Sequence, residues 1–307
     1  MNSLKSWGLH MRPHTGHGNS APRSASRRSS RTWGFLLRSK RCSTSRHTER
    51  TFSATLGMLQ SMNRGNLMLF FSLDGPQETH DKIRGKGSFD RVRETMTRLR
   101  PLRQLYPNLY LSVVVTVTPR NADVATDFID ELVRDFRPQT ISINLFRYHT
   151  LSHPPIPLAV IEAHKATLER YEHRVRQGAL EDFGIIGGRL LRVKEILQKE
   201  AIQRVARFNE FITPCTAGTL SYVIMEDGRV RPCEILSDEI GSVGDTGDAP
   251  SFTAMIRSSK AMVLRKWIRD TKCRCTYECA MSTNTLFSWP LMGRLIRRYV
   301  GSLALRR

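Results

Sequence analysis

Residues 67–87 read LMLFFSLDGPQETHDKIRGKG, and the stretch SFDRVRETMTRL follows directly. The apolar run Leu67–Leu73 predicts a buried parallel strand that ends in an Asp-Gly-Pro turn. Ser88 is the predicted N-cap of a helix that places four apolar side chains on one face, namely Phe89, Val92, Met96 and Leu99. Ligand sites in parallel α/β sheets gather at the carboxyl ends of the strands, so the turn after Leu73 is expected to lie at a functional edge.

The next segments repeat this alternation of strand and helix. Leu109–Val117 is a β-branched run typical of a buried strand, 122–136 has the pattern of an amphipathic helix, and Thr140–Phe146 is a further strand. This order indicates an α/β fold with a parallel sheet and right-handed crossovers. Three longer helices are predicted after the sheet, at 158–177, 188–208 and 252–270.

Five of the six cysteines form two clusters near the C-terminal end. Cys215 and Cys233 enclose the spacing Cys-x12-Gly-x4-Cys, and SYVIMEDGRVRP between them predicts a hairpin that turns at Asp227-Gly228. The heptapeptide CRCTYEC then supplies Cys273, Cys275 and Cys279. Thiolates are soft ligands that suit zinc or an iron–sulfur cluster, and by ligand type alone the two metals are equally favoured. Disulfides are not expected, because no secretory signal sequence opens the chain.

Three motifs carry a resemblance to a known family. SLDGP, THDKIRG and GSFDRV resemble the fourth strand, loop and helix of radical S-adenosylmethionine enzymes, and Cys-x12-Gly-x4-Cys is similar to the start of the SPASM or twitch domain that follows such barrels. The resemblance covers roughly residues 67–287. It implies a partial (β/α)6 barrel over 67–210, a small SPASM/twitch-like domain over 211–287, and a tail or helix over 288–307.

The resemblance also implies a pocket for S-adenosylmethionine. Ser72 and Asp74 match residues beside the bound cofactor, and Arg84 matches an arginine near its methionine carboxylate, which a guanidinium can grip bidentately. Asn144 resembles polar residues that line the pocket. The alternatives are that Asp74 only forms a turn, that Arg84 is a solvated surface residue, and that Asn144 marks the end of a strand.

For the metal, the resemblance implies one auxiliary [4Fe-4S] cluster. Cys215, Cys233 and Cys279 match its ligand positions, and the fourth ligand is either Cys273 or Cys275. No cysteine follows Cys279. The expectation is therefore a twitch-like domain with a single cluster.

The front of the chain departs from the family. Radical S-adenosylmethionine chemistry requires a CxxxCxxC loop after the first strand, whereas Cys42 is the one cysteine before Cys215. We therefore expect a first half-barrel that is truncated or altered, and a chain that does not cleave S-adenosylmethionine.

Residues 1–55 are predicted to be a disordered basic leader. Residues 1–50 contain eleven Lys or Arg and ten Ser but one acidic residue, Glu49. Three explanations account for this composition: an organelle transit peptide, a basic tail for an anionic surface, or translation from a wrong frame or start site. The abrupt loss of the first strands favours the last explanation.

Other classes of function find less support in the sequence. Neither GxSxG, HExxH nor a P-loop occurs, which argues against the corresponding hydrolases and nucleotide triphosphatases. His80 and Asp81 suggest a general base, but no third orienting group is visible. The formal charge of +20 would suit nucleic acid, yet no nucleic-acid motif accompanies it, so nucleic acid is not the expected partner.

The expected function is radical-based hydrogen abstraction from an unidentified peptide or small molecule, with flavodoxin or ferredoxin as electron donor. A non-enzymatic zinc or iron–sulfur protein is the first alternative, and for zinc the ligands would be Cys215, Cys233, Cys275 and Cys279. A basic nucleic-acid binder is the second alternative. A cytoplasmic location and no transmembrane helix are expected, because the chain has no run of eighteen apolar residues.

Overall fold

The computed structural model describes residues 32–36, 44–148, 151, 154–180, 188–243 and 251–304. Cys42 and most of the predicted basic leader lie outside the described residues.

A parallel sheet forms the larger part of the fold. Its strands lie side by side in chain order and pair in parallel: β1 (Thr32–Leu36), β2 (Asn66–Ser72), β3 (Leu109–Val117) and β4 (Thr140–Leu145). The prediction of a parallel α/β fold is confirmed. One face of the sheet is buried under the helices, because alternate residues of β2 and β4 and nearly all of β3 are apolar and inaccessible.

Helices connect the strands. They are α1 (Thr44–Ser61), α2 (Gln77–Arg84), α3 (Ser88–Leu99), α4 (Leu102–Leu105) and α5 (Ala125–Glu131), which continues as a π-helical turn at Leu132–Phe136. As predicted, α3 faces the core with Phe89, Met96 and Leu99, and Val92 packs at the margin.

The structure differs from the sequence predictions at two of these elements. Part of the leader that was expected to be disordered forms β1 and the start of α1. Thr48 of α1 is fully buried and its hydroxyl lies 3.0 Å from that of Thr95 on α3, so contact with α3 orders this basic segment. The segment THDKIR, expected to be a loop, lies in α2, where Lys82 pairs with Glu78 one turn earlier.

The helices after the sheet are α6 (Leu158–Arg176), α7 (Gly188–Phe208), α8 (Phe252–Arg257), α9 (Ser259–Asp270), α10 (Glu278–Phe287) and α11 (Trp289–Ala304). The single helix expected over 252–270 is two helices. Ser258 is extended and its hydroxyl accepts a hydrogen bond from the Ala261 amide, which ends α8 and caps α9.

The hairpin predicted between Cys215 and Cys233 is present. Strands β5 (Val223–Ile224) and β6 (Arg229–Arg231) pair antiparallel, and β7 (Gly241–Ser242) joins them on the other side of β6. Gly228 makes the turn with φ of 85°, a conformation that favours glycine. A small second core supports the hairpin and the cysteines: Val230, Leu236, Ile240, Met255, Ala261, Leu264 and Ile268.

The C-terminal segment is a helix that docks on the rest of the chain. Leu291 and Leu295 of α11 are buried, and Leu295 packs against Val193 and Leu197 of α7. Among the described residues, every helix is too short or too polar to cross a lipid bilayer.

Candidate functional site

Polar side chains line the face of the sheet opposite the main helix-packed core. Ser72 pairs with Val114, which pairs with Ser142, and in the next row Thr116 pairs with Asn144. Cross-strand partners share one face of a sheet. Because Ser72, Ser142 and Asn144 are half-buried, this polar face is accessible near the carboxyl ends of the strands. The structure thus brings Ser72 and Asn144, which the sequence singled out, to one face.

Asp74 lies just beyond β2 and is 2% exposed. One carboxylate oxygen accepts a hydrogen bond from the Thr116 amide at 2.9 Å, and the other accepts one from Nε of Arg84. Its backbone carbonyl accepts a further bond from the side-chain amide of Asn121. Asp74 therefore ties the ends of β2 and β3 to α2, and both of its carboxylate oxygens have partners within the chain.

Arg84 is the last residue of α2, and its side chain is 34% exposed. Its ion pair with Asp74 holds the guanidinium at the edge of the sheet. Only Nε is used in this contact, and the guanidinium carries five N–H donors in total. The geometry supports a positioned arginine rather than a freely solvated one.

His80 is fully buried in α2. Its Nδ1 accepts a hydrogen bond from the Asp74 amide at 3.1 Å, and its ring meets that of Phe89 edge to face. Burial lowers the pKa of His80 from 6.5 to about 4. The neutral imidazole therefore acts as a hydrogen-bond acceptor that holds the backbone of Asp74 in place.

Asp81 caps the following helix. Its carboxylate accepts hydrogen bonds from the amides of Gly87 and Phe89 and from the Ser88 hydroxyl. Burial opposes its ionisation, but these hydrogen bonds prevail and hold the pKa of Asp81 below its usual range. The residue predicted as N-cap, Ser88, is the first residue of α3 itself, and the capping acceptor comes from α2.

Asn144 joins the sheet to the cysteine-bearing end of the chain. Its side-chain oxygen accepts a hydrogen bond from Nζ of Lys199 at 3.1 Å, and the same Nζ lies 2.8 Å from a carboxylate oxygen of Glu278. Glu278 begins α10 and precedes Cys279. A buried polar chain thus runs from the end of β4 through α7 to the start of α10.

Cysteines from the hairpin and from CRCTYEC lie near one another, because Cys215, Cys233 and Cys273 pack against the same small core. Burial raises the pKa of both Cys273 and Cys275 to about 12, and nearby Cys215 and Cys233 add to each rise. Burial also raises the pKa of Cys215, with a further contribution from Cys233. The fold therefore brings the hairpin cysteines and the CRC segment into one region of the chain.

Cys279 has different neighbours. It is exposed on α10, and its charge affects the pKa of Lys194 and of Tyr277. Cys273 packs against the same small core as Cys215 and Cys233, whereas Cys279, which the family resemblance matched to a ligand position, is exposed. Which cysteines of CRCTYEC are ligands stays a prediction.

Backbone amides point at these sulfur atoms. The Leu236 amide donates to Sγ of Cys233 at 3.4 Å. The amides of Ala217 and Tyr277 donate to Cys215 and Cys275 and oppose the rise in their pKa values. Amide donors stabilise thiolate over thiol and tune metal–sulfur centres. In the described part of the chain, no three His, Cys, Asp or Glu side chains are grouped to hold a single metal ion.

Sequence reasoning missed two residues of this region. Lys199 lies within the long helix α7, where one lysine among many gives no signal. Asn121 follows β3 and resembles an ordinary turn residue, although it is fully buried and bonds to both Asp74 and Thr116. Both act through contacts between segments distant in sequence.

Comparison with known proteins gives the following relationships. No family model matches the chain. The sporulation killing factor maturation protein SkfB of Bacillus subtilis (strain 168) is 26% identical over 225 residues, which are 71% of this chain and 47% of that protein. The chain therefore spans about half the length of this curated relative.

Two solved structures are similar at 14% identity. Native anSMEcpe with bound AdoMet gives a TM-score of 0.46, over 87% of this chain and 74% of that one. Native anSMEcpe with bound AdoMet and Kp18Cys peptide gives 0.44, over 77% and 70%.

The sequence relationship to SkfB extends over most of the chain. Together with the motifs SLDGP, THDKIRG and Cys-x12-Gly-x4-Cys, it supports an assignment of the chain to the radical S-adenosylmethionine family.

Proposed function

We propose that this chain is the auxiliary-cluster part of a SPASM-type maturase, in which Cys215, Cys233, Cys273 and Cys275 hold one [4Fe-4S] cluster. The observation that supports this most is that Cys215, Cys233 and Cys273 pack against the same small core, while burial raises the pKa values of Cys215, Cys273 and Cys275.

The donor set fits an iron–sulfur cluster. Four thiolates are the usual ligands of a [4Fe-4S] cluster, and buried sulfur atoms that receive amide hydrogen bonds are typical of its surroundings. The raised pKa values mean that the metal-free thiols are protonated at neutral pH, so metal binding releases protons. When bound, such a cluster supplies a one-electron acceptor. The small second core, against which Cys215, Cys233 and Cys273 pack, would cover one side of such a cluster.

The polar face of the sheet is the proposed site for S-adenosylmethionine. Ser72 and Asn144 face it directly, whereas Asp74 positions the Arg84 guanidinium for a carboxylate. The reaction class of the family is hydrogen-atom abstraction from a substrate. With Cys42 as the one cysteine before Cys215, this chain lacks the three thiolates for a second cluster and does not cleave S-adenosylmethionine by itself.

The name of the relative supports a proposal for the substrate class. SkfB is named as a maturation protein, and maturation acts on a precursor that is itself a gene product. We assign a peptide precursor to this chain on that basis, with an external flavodoxin or ferredoxin as electron donor.

Anaerobic reconstitution of the full chain tests the proposal. With iron and sulfide, the expected product is brown and contains iron and sulfide in the amounts of one [4Fe-4S] cluster per chain. Reconstitution with zinc in parallel separates the alternative, since a colourless chain that retains zinc and excludes iron would sink the cluster assignment. Formation of 5′-deoxyadenosine from S-adenosylmethionine and dithionite would contradict the predicted inactivity.

A further inference from the structure

A cavity of about 470 Å³ lies next to the cysteine cluster. Its walls come from the segment after β4, from the C-terminal end of α7 and from residues 274–277, so Cys275 forms part of its lining. The volume lies within the range of small-ligand sites in proteins. A molecule in this cavity lies beside Cys275.

Three arginines line the cavity, namely Arg147, Arg207 and Arg274. No Asp or Glu occurs among its described lining residues. Like charges that share a cavity repel one another, and an anion that enters it relieves the repulsion. From outside the lining, Glu234 pairs with Arg147 and Glu162 pairs with Arg207. The contacts of Arg274 within the described residues are to amide oxygens instead. Arg274 therefore gives the lining a positive charge that favours a negatively charged ligand.

Each arginine is held in place because part of its guanidinium contacts a neighbouring residue. Arg147 lies 4.0 Å from the centre of the Tyr277 ring, and Nε of Arg274 donates at 2.8 Å to both oxygens of Asn209. Arg207 pairs through Nη1 with Glu162, which is outside the lining. A guanidinium fixed in this way is pre-organised, so little side-chain entropy is lost when a ligand binds.

Donors remain for a ligand. The contacts recorded in the described part of the chain use Nη2 of Arg147, Nη1 of Arg207, and Nε and Nη1 of Arg274. These contacts leave at least one terminal nitrogen of each guanidinium available to donate a hydrogen bond to a ligand. Nε of Arg147 is buried and has no hydrogen-bond partner among the described residues. The two oxygens of a carboxylate match such a planar fork.

The remaining walls suit a peptide rather than a bare ion. Tyr148, Tyr277, Ile156 and Val205 contribute apolar and aromatic surface around the arginines. A side chain with methylene groups and a terminal carboxylate buries its stem against such walls while its charged end meets the guanidinium groups.

We propose that this cavity binds an acidic side chain of the peptide substrate, glutamate or aspartate, and so seats the peptide beside Cys275. The identity of the ligand as part of a substrate rests on the proposed function, whereas the binding of the acidic side chain does not. A failure to bind a cluster and a failure to bind the acidic peptide are therefore separate results.

Calorimetric titration of the full chain with a blocked tripeptide tests the proposal. The probe is acetyl-Gly-Glu-Gly-amide, whose only charge is the side-chain carboxylate, and acetyl-Gly-Gln-Gly-amide is its neutral match. The expected result is binding of the glutamate peptide at least about tenfold tighter than the glutamine peptide, with affinity that falls as salt is added. Equal binding of the two peptides, or no binding of either, would overturn it.

Arginine variants locate the binding. Arg274→Gln is expected to weaken the glutamate peptide about tenfold, while Arg269→Gln, which removes the same charge at a 71% exposed position on α9, leaves the affinity unchanged. An equal loss in both variants indicates a diffuse charge effect and contradicts the cavity. Titration with glutarate tests a small anion in place of the peptide. If glutarate binds as tightly as the glutamate peptide, the assignment of a peptide ligand is contradicted.

Discussion

Lys199 and Glu278 form a nearly enclosed ion pair, with Nζ 2.8 Å from a carboxylate oxygen and the two side chains 5% and 17% exposed. The pair joins α7 to the first residue of α10, and Gln198 binds the same carboxylate through its side-chain amide. Since Lys199 also donates to Asn144, the sheet and the segment that carries the cysteines are held in one arrangement by this lysine.

Lys199→Met is expected to lower the free energy of unfolding by about 3–5 kcal/mol, because a buried carboxylate then lacks its counter-charge. Chemical denaturation monitored by circular dichroism measures the loss. Adding Glu278→Gln to this variant should recover part of the lost free energy of unfolding, since the unpaired carboxylate charge is then absent. Lys266→Met is the matched control, because that lysine is 69% exposed and its pair with Asp270 contributes less than about 1 kcal/mol. A loss as small as that of the control would contradict the role of the pair.

Local pattern predicted the elements of this fold better than it predicted the contacts. The bounds of β3 and α7 match the predictions at Leu109–Val117 and Gly188–Phe208, since a β-branched run and a long 3.6-residue periodicity identify a strand and a helix without outside help. The helix at Gln77–Arg84 was missed because its hydrophobic content is low. Its place depends on Asp74 and on the cap that Asp81 gives to α3, and neither contact is visible in the local sequence.

The candidate site was predictable in its residue types but not in its grouping. The spacing of the cysteines indicated a soft-metal site, yet it left Cys273, Cys275 and Cys279 equivalent within CRCTYEC. The start of α10 at Glu278 separates them, because Cys279 then stands on a helix while Cys273 and Cys275 stay in the loop beside the hairpin. The partners of Asn144 and Asp74 come from distant segments, which a periodic pattern cannot reveal.

Asp74→Ala is expected to destabilise the chain by about 3–5 kcal/mol, because it leaves the Thr116 amide without its acceptor and Arg84 without its counter-charge. The measurement is again the free energy of unfolding. Asp127→Ala removes a carboxylate that is 85% exposed and should cost less than about 1 kcal/mol. If the two variants are equally stable, Asp74 does not organise the sheet edge as its contacts indicate.

His80 makes stability depend on pH. Burial lowers its pKa in the folded chain to about 4 from an ordinary 6.5, so the unfolded chain binds more protons between these values. Stability from this residue is therefore present above pH 6.5 and is lost as pH falls toward 4, by about 3 kcal/mol in all. His80→Asn, which keeps an acceptor for the Asp74 amide, should flatten the decline of unfolding free energy over this window. An unchanged pH dependence in the variant would contradict the assignment.

Gly228→Ala tests the hairpin that pairs Cys215 with Cys233. A Cβ at this position would lie 2.3 Å from the Val243 carbonyl oxygen, and φ of 85° already disfavours alanine. The expected loss is about 2 kcal/mol or more in unfolding free energy, with less iron retained after reconstitution. Gly293→Ala in α11 is the control, since a Cβ at this position meets nothing within 4 Å. This substitution should raise the free energy of unfolding by about 0.5–1 kcal/mol. Retention of wild-type stability in Gly228→Ala would argue against this turn.

Serine substitution within CRCTYEC separates the candidate ligands. Cys275→Ser removes a half-buried sulfur whose neighbours include three other thiols, so we expect most of the bound iron and sulfide to be lost. Cys279→Ser removes an exposed sulfur on α10 beside Lys194 and Tyr277, so we expect the metal content and the brown colour to remain close to those of the unmodified chain. The two variants carry the same chemical change four residues apart, which makes each the control of the other. Loss of iron in Cys279→Ser together with its retention in Cys273→Ser would instead give the ligand set Cys215, Cys233, Cys275 and Cys279, and the loop would then have to rearrange around the metal.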